Sequence, residues 1–359
     1  ASEVFSWMEG FSVYGFSAAH AASFAELSYA SAYMRTHHPA EFFCALLNSQ
    51  PMGFYSPRLL LNEARRIGLG VLPPDANVSE GDFTVEDTQA GPALRVGLRY
   101  CKGLSKRAIA SIEAERRGRP FVSVADLYGR TAVERDSLEN LVRGGFLDSL
   151  PGGGNRSRLL DEAKALPKKR RRAGQPEIPL EHPASWWVSR ERKGIEHLPL
   201  AASARERMEW EVLGLNVGRH PLIPYRAALR ELGVVSSEEI RGLPYGTRAR
   251  AAGLIECLQS PPTKSGHRVY FLLIEDEGGL LQATLFRSAY KRCGDLLHRE
   301  GAFLLEGRVE RTAARGFAFL VDRARSLREA LAGAAMPTPR VTPSPGASLR
   351  AGRRGRKAG

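Results

Sequence analysis

Residues 97–109, GLRYCKGLSKRAI, constrain the fold of this chain more than any other stretch, because they predict two short helices joined by a hairpin. Gly103 tolerates the positive φ that such a turn needs, and Ser105 is a suitable N-cap for the helix that follows. Ala108 and Ile109 begin the apolar face of that helix. The turn would therefore present the backbone N–H groups of a helix start outward, where they suit a phosphate and ignore base identity.

Six residues of this turn are the first candidates for DNA binding: Lys102, Gly103, Leu104, Ser105, Lys106 and Arg107. The three cations among them flank the outward N–H groups and would attract the phosphate backbone of DNA of any sequence. An ordinary helix-turn-helix with a solvated basic face is the alternative. This stretch alone leaves both interpretations open.

The net charge of the chain also suggests a nucleic-acid partner, since it is +13 at pH 7. Five positive charges lie in residues 168–172 and six more follow Leu331, in segments whose composition predicts a linker and a disordered tail. The rest of the chain is nearly balanced. Solvated segments without a partner are the alternative interpretation of both runs.

Length and composition predict two or three globular domains, since the chain has 359 residues of which 43% are hydrophobic. No window approaches the ~20 uncharged apolar residues of a membrane span, so we expect a cytoplasmic protein without a membrane partner. The four cysteines are far apart and never form a Cys-x-x-Cys pair, which argues against zinc and against disulfides. The first residue is not Met and the opening is typical of a helix interior, so we expect a fragment.

Helices dominate the predicted first half of the chain. Apolar spacing predicts two packed helices in residues 18–47, divided at Pro39, and another helix over 59–67 with Ser56 as its N-cap. Residues 80–95 predict a β-hairpin, which leads into the opening motif.

Beyond Gly246 the pattern changes to strands. Five strands are predicted, with a helix at 288–297 between the third and the fourth, which is the strand order of an OB-fold. Such barrels bind single strands through basic and aromatic side chains. The candidates are Lys264, His267, Arg268, Tyr270, Phe271, Arg308, Arg311 and Arg315. Only one of Tyr270 and Phe271 can face outward, because neighbours along a strand alternate.

Three motifs near the start resemble bacterial C-family DNA polymerases, the polymerase III alpha subunits. They are YGFSAAHAASF at 14–24, YASAY at 29–33 and HPAEF at 38–42, and they are similar to the end of the fingers domain. The run LLNSQPMGFYSP at 46–57 resembles the error-prone branch more than the replicative one. The resemblance implies that His20 and Arg35 lie near the incoming nucleotide or the template. A place on the helix surface or at a helix cap is the alternative for each.

The resemblance extends to the opening motif, where the family has a tandem helix-hairpin-helix pair, with a second, weaker hairpin at 141–150. Ser105 stands where many such hairpins have a second glycine. The implied fold class is multidomain α+β: the helical end of the polymerase fingers, a tandem helix-hairpin-helix and an all-β OB-fold. The corresponding segments are fingers 1–75, helix-hairpin-helix 76–150, basic linker 151–204, helical connector 205–245, OB-fold 246–328 and disordered tail 329–359.

The resemblance implies a segment of an error-prone DNA-directed DNA polymerase that acts in translesion synthesis. Its partners would be primer-template and single-stranded DNA, with deoxynucleotides in the full enzyme. In the family, paired Mg²⁺ ions held by palm aspartates support nucleotidyl transfer. No Asp precedes Asp75 and no Asp-x-Asp pair occurs, so we assign no catalytic residue, metal ligand or cofactor to this segment. The alternatives are a non-enzymatic DNA-binding accessory protein from a split or truncated gene, and a fragment of the replicative alpha subunit.

The sequence QATLF at 282–286 resembles a pentapeptide that binds a sliding clamp. The family suggests a clamp or other translesion proteins as further partners. This pentapeptide falls inside a predicted strand, where pairing would withhold the backbone from the groove of a partner. We therefore expect it to form part of the barrel.

Overall fold

The computed structural model describes residues 18–53, 55–167, 204–261, 268–297, 301–312 and 316–332. Of the candidate residues, Lys264, His267 and Arg315 lie outside these ranges, and Arg311 is described only through its backbone. The basic runs at 168–172 and after Leu331, which account for most of the net charge, also lie outside them.

Three helices open the described chain: α1 (Ala18–His37), α2 (Pro39–Asn48) and α3 (Pro57–Arg66). Pro39 starts α2 because the first turn of a helix does not need its N–H group. Ser56 caps α3 by accepting a hydrogen bond from the backbone N–H of Leu59 at 3.2 Å. The three predicted helices are confirmed, although α3 begins two residues before the predicted range and ends one residue before its end.

A small sheet follows α3. Strands β2 (Thr84–Thr88) and β3 (Gly91–Arg95) form the predicted antiparallel hairpin. Strand β1 (Gly70–Leu72) pairs with β3 in parallel and was not predicted. Three residues are too short for a period of two to be visible in the sequence.

The opening motif forms a 3₁₀ turn (Leu98–Tyr100), a hairpin and the helix α4 (Lys106–Gly118). Helices α5 (Val124–Arg130), α6 (Arg135–Arg143) and α7 (Arg156–Ala165) complete two helix-hairpin-helix units. A helix near 158–166 was predicted within the linker, and α7 confirms this helix. Its place in a poorly ordered linker was wrong, because Leu159, Leu160 and Ala163 are buried in the same core as α2, α3, α4 and α6.

The connector contains α8 (Ala204–Leu213), a 3₁₀ turn (Ile223–Tyr225), α9 (Arg226–Glu231) and α10 (Ser237–Gly242). Its apolar side chains, including Leu222 and Leu229, pack on the outer face of the following barrel at Ala252 and Leu304. The connector is helical, as predicted.

The last part is a closed five-stranded barrel of β4 (Arg248–Gln259), β5 (Val269–Asp276), β6 (Gly279–Phe286), β7 (Ala302–Thr312) and β8 (Gly316–Ser326). Helix α11 (Arg287–Leu297) lies between β6 and β7 in the chain, so the predicted OB-fold order is confirmed. The strands are joined in the order β4-β5-β6-β8-β7, and β6 pairs with β8 in parallel.

The final helix, α12 (Leu327–Ala332), begins before the predicted tail and continues into it. Residues 329–332 were predicted to be disordered, and this was wrong. Leu327 and Leu331 are one helical turn apart and both are buried against the connector. Packing against the connector therefore orders residues 329–332, although their own composition does not predict a folded segment.

A buried ion network joins the barrel to the helical part of the molecule. Arg58 of α3 contacts the carboxylates of Glu256 on β4 and Glu275 on β5, and all three side chains are at most 3% exposed. The amide of Asn62 donates a further hydrogen bond to Glu275 at 3.1 Å. The guanidinium of Arg58 also lies 5.6 Å from the ring centre of Trp210. One end of the β5–β6 face is therefore covered by α3.

Candidate nucleic-acid interface

The first hairpin has the backbone geometry that the sequence predicts. Gly103 has a φ of +80°, which side chains with a Cβ rarely adopt. Ser105 is extended and its hydroxyl accepts a hydrogen bond from the N–H of Ala108 at 3.2 Å, so it caps α4. Gly103, Lys106 and Arg107 are exposed, whereas Lys102 and Ser105 are half-buried.

The second repeat holds the carbonyl groups of this hairpin. The amide of Asn140 donates to the Lys102 carbonyl at 2.8 Å, and the hydroxyl of Ser137 donates to the Gly103 carbonyl at 2.7 Å. Both donors belong to α6. A phosphate would be repelled by these carbonyl oxygens, and here they are turned inward and satisfied. The outer side of the hairpin therefore presents the first turn of α4 together with Lys106 and Arg107.

Leu104 differs from its neighbours in the hairpin because its side chain is only 2% exposed. It packs in the core with Ala108 and Ile112. Its side chain therefore cannot contact DNA, and only its backbone remains a candidate. The period of the helix could have indicated this, since Leu104, Ala108 and Ile112 are spaced four residues apart.

The second hairpin is occupied by side chains of the protein itself. Gly145 has a φ of +87°, but the Arg156 guanidinium lies 2.3 Å from the place where a Cβ of residue 145 would be. Arg156 is paired with Asp148 at 2.6 Å and with Glu209 of α8 at 2.7 Å. This hairpin therefore fastens the connector to the repeat. In the first hairpin, the Lys102 N–H donates to the Val212 carbonyl of α8 at 3.2 Å, and the turn at Gly103 is exposed.

We expect Asn140→Ala to weaken the first hairpin without unfolding the protein. The Lys102 carbonyl would lose its donor, which costs about 1 kcal/mol for a neutral hydrogen bond. A small drop in thermal stability together with weaker binding of duplex DNA is the expected result. Ser111→Ala, which removes a hydroxyl elsewhere in the same unit, is the control. Equal effects of the two substitutions on DNA affinity would contradict a specific role of Asn140.

The two fingers candidates lie on α1. His20 is exposed and packs edge-on against Phe24, with ring centres 4.5 Å apart. Arg35 forms an ion pair with Glu63 of α3 at 2.6 Å, so in this structure it ties α1 to α3. Their contact with nucleotide or template stays a prediction.

Tyr270 and Phe271 on β5 face opposite sides of the barrel wall, as the alternation along a strand requires. Tyr270 packs against the barrel core and stacks on Tyr290 of α11, with ring centres 3.4 Å apart. Phe271 is on the outer face beside Thr284 of β6. Tyr270 is thus used inside the protein, and Phe271 remains on the outer face. Arg268, which directly precedes β5, is exposed.

The pentapeptide at 282–286 lies within β6 and is paired with β5 along its whole length. Ala283 and Leu285 are buried in the barrel core, as expected for a strand. A segment bound in this way cannot leave the barrel for a clamp without breaking that pairing.

A basic surface that was not predicted from the sequence lies on the opposite side of the barrel. Five exposed arginines lie on the outer face of β4, β7 and β8: Arg248, Arg250, Arg308, Arg323 and Arg325. Only Arg308 was a candidate. Arg248 and Arg250, like Arg323 and Arg325, are two residues apart, a spacing that puts both members of a pair on one face of a strand. The second pair was not recognised because the fifth strand was predicted to end at Val321, whereas β8 continues to Ser326.

The described part of the chain contains no cluster of metal ligands and no membrane-spanning helix. There, no three His, Cys, Asp or Glu side chains are grouped so that they could hold a metal ion. Among the helices described, none has the length and apolar character that crossing a bilayer requires.

A tandem helix-hairpin-helix unit followed by an OB-fold barrel defines a class of proteins that handle nucleic acids. A family profile described as "Helix-hairpin-helix motif" matches residues 68–159. These residues contain the small sheet, both hairpins and the start of α7.

Curated relatives identify the family more closely. The error-prone DNA polymerase of Symbiobacterium thermophilum is 38% identical over 347 residues, which cover 87% of this chain and 32% of the relative. The error-prone DNA polymerase of Bdellovibrio bacteriovorus is 35% identical, and the match covers 88% of this chain and 30% of the relative. That of Aromatoleum aromaticum is 39% identical, and the match covers 76% of this chain and 24% of the relative. Over most of its length the chain is therefore similar to a segment of error-prone DNA polymerases. It spans about a third or less of the relatives it matches.

Among solved structures, the second OB-fold domain of replication protein A from Methanococcus maripaludis is 17% identical. It covers 24% of this chain and 91% of that one, with a TM-score of 0.20. This likeness is too weak to support an inference about the barrel.

Proposed function

We propose that this chain is the DNA-holding segment of an error-prone, damage-tolerance DNA polymerase. In this proposal the first hairpin grips the backbone of the primer-template duplex and the OB-fold barrel holds the single-stranded template. The observation that carries the proposal is the hairpin itself, whose carbonyl groups are bonded to α6 while the start of α4 faces outward beside Lys106 and Arg107. Such a surface suits phosphates in any sequence context, which a polymerase needs.

The chemical step belongs elsewhere in this proposal. Template-directed nucleotidyl transfer uses Mg²⁺ ions that are held by several converging carboxylates. The described residues do not fit such a site, because they contain no group of three potential ligands. The segment would therefore position DNA for a palm domain that supplies the metal ligands. The deoxynucleotides, and any clamp or other translesion partner, would also be met by the complete enzyme in the bacterial cytoplasm.

We expect the purified chain to bind labelled primer-template DNA in a salt-sensitive manner. The double variant Lys106→Ala/Arg107→Ala should lower the slope of log affinity against log salt by up to about 1.8, since each duplex phosphate contact contributes about 0.9. Fluorescence anisotropy at several salt concentrations measures this slope. Arg207→Ala/Arg328→Ala is the matched control, because it also removes two exposed cations, from α8 and α12. The hairpin assignment fails if both double variants have the slope of the unmodified chain.

Primer extension separates the polymerase proposal from a purely accessory role. With Mg²⁺ and all four deoxynucleotides, the purified chain should extend no primer, and the same segment joined to a palm from the error-prone family should extend it. If the joined protein stays inactive although it folds and binds DNA, the accessory role is favoured. Extension by the segment alone would reveal an active site within it.

A further inference from the structure

The outer surface of β4, β7 and β8 changes from apolar to strongly basic along the strands. At one end, Ala252, Leu254 and Leu304 are buried under the connector. At the other end the same face carries Arg248, Arg250, Arg308, Arg323 and Arg325, which we call the arginine face. Within the described ranges, no helix or strand covers these five side chains. They are exposed where the connector ends.

The arrangement of these cations is costly for a surface without a partner. Arg248 and Arg308 are directly opposite each other on neighbouring strands, and like charges in such pairs destabilise a sheet. Arg248 and Arg323 form no ion pair within the residues that the structure describes. A polyanion bound here would turn this repulsion into attraction.

Glu306 lies between two of the arginines and pairs with both. Its carboxylate pairs with Arg250 at 3.2 Å and with Arg325 at 2.9 Å, and Arg250 also donates to the Leu232 carbonyl at 2.8 Å. These contacts fix two guanidinium groups on either side of one strand. Prepositioned groups lose less conformational freedom when a ligand binds.

A cleft of about 530 Å³ runs through the arginine face. Its lining includes Arg248, Arg250, Glu306 and Arg323, with Gly233 at the edge of the connector. A volume in this range holds a small ligand or a short length of extended chain. It is too small for a duplex, whereas its basic lining suits the sugar-phosphate backbone of one strand.

The usual ligand face of an OB-fold, on its second and third strands, is restricted in this protein. Glu275 on β5 and Thr284 on β6 point outward from the barrel but are buried, and Glu275 is held by Arg58 of α3. Arg268, the cationic candidate that the structure describes in this part of the barrel, lies just before β5. The arginine face carries far more positive charge.

We propose that the arginine face binds the phosphate backbone of single-stranded DNA, as a second track on the side of the barrel opposite the β5–β6 face. This inference rests on the proposed function, because it assumes that the chain meets single-stranded template. The arginines contact phosphates along the cleft, and Glu306 keeps Arg250 and Arg325 in position for them. The contacts are independent of base sequence.

The test is the binding of a 20-nucleotide oligo-dT and of a blunt DNA duplex to the full chain. Arg248→Ala/Arg323→Ala should bind oligo-dT roughly tenfold more weakly near 0.15 M salt, with a salt slope lower by about 1.4, since each single-strand contact contributes about 0.7. Arg248→Lys/Arg323→Lys should keep most of the slope because the charge remains. Arg207→Ala/Arg328→Ala again serves as the control for lost charge. Circular dichroism checks that each variant is folded.

Each outcome decides the inference. Loss of oligo-dT affinity with unchanged duplex affinity supports it. If Arg248→Ala/Arg323→Ala behaves like the control while Lys106→Ala/Arg107→Ala loses duplex affinity, the inference fails and the proposed function stands. If duplex affinity falls as much as oligo-dT affinity, the face is not specific for single strands and the inference fails. If the unmodified chain binds neither DNA, both proposals fail.

Discussion

Arg58→Ala is expected to destabilise the junction between the barrel and the helical part by about 3–5 kcal/mol, because it leaves two buried carboxylates without their shared cation. Glu256 and Glu275 come from neighbouring strands and are 3% and 0% exposed. Arg66 also contacts Glu275, with its guanidinium 3.4 Å away, but Arg58 is the cation that Glu275 shares with Glu256. Thermal unfolding followed by circular dichroism and by limited proteolysis of the connector measures the effect.

A double-mutant cycle tests whether the charge pairing is responsible. Glu275→Gln removes one of the orphaned charges, so Arg58→Ala/Glu275→Gln should be less unstable than the sum of the two single variants. Arg328→Ala, which removes an exposed arginine, is the control for loss of a cation. Strict additivity of the two single effects would contradict a coupled network at this junction.

His220 adds a pH signature to the same junction. Burial, together with Arg58 and the neighbouring arginines, lowers the pKa of His220 well below its ordinary value. The folded protein therefore keeps His220 neutral, while the unfolded chain takes up a proton below about pH 6.5. The contribution of His220 to the free energy of unfolding is fully present above about pH 6.5. It declines as the pH falls from there towards the lowered pKa of the folded state. In Arg58→Ala the decline should be shallower, because one of the cations that lower the pKa is gone.

Gly103→Val is expected to give the largest loss of DNA binding among single substitutions in the first hairpin. A β-branched residue at a φ of +80° is strongly disfavoured, at a cost of about 1–2 kcal/mol for the left-handed backbone alone. The new Cβ would also lie 3.7 Å from the Asn140 amide nitrogen and 3.9 Å from the Ser137 hydroxyl, the two donors that hold the hairpin carbonyls. Affinity for duplex and single strands should fall similarly for all sequences, which filter binding with several oligonucleotides measures.

Two variants separate strain from the loss of contact. Gly68→Val introduces a side chain at a φ of +91° in another exposed turn, with no atom within 4 Å of the new Cβ. It should lower stability comparably and leave DNA affinity intact. Gly103→Asn accepts the left-handed backbone with less strain, so any affinity it loses reflects the side chain in the turn. Unchanged affinity of folded Gly103→Val would make the hairpin a structural element only.

Local signals in the sequence determined much of this protein. Gly103 and Ser105 specify the hairpin through backbone conformation and capping, which depend on neighbours within a few residues. The alternation of apolar and polar residues in 248–286 determined three strands of the barrel, because this pattern also depends only on residues that are close in the sequence. The family motifs at 14–57 pointed to the polymerase branch that the curated relatives bear out.

The tertiary structure alone decided which of these surfaces are available. Arg58 looked like an ordinary helix residue, and its partner Glu275 is 217 residues away, so only folding makes the pair and covers one end of the barrel face. Ser137 and Asn140 turn the hairpin carbonyls inward from a second repeat 34 and 38 residues away. The arginine face joins three strands that are separated in the chain. Propensity and periodicity act over one or two turns of chain, whereas burial, ion pairing and a shared surface depend on elements that meet only in the folded state.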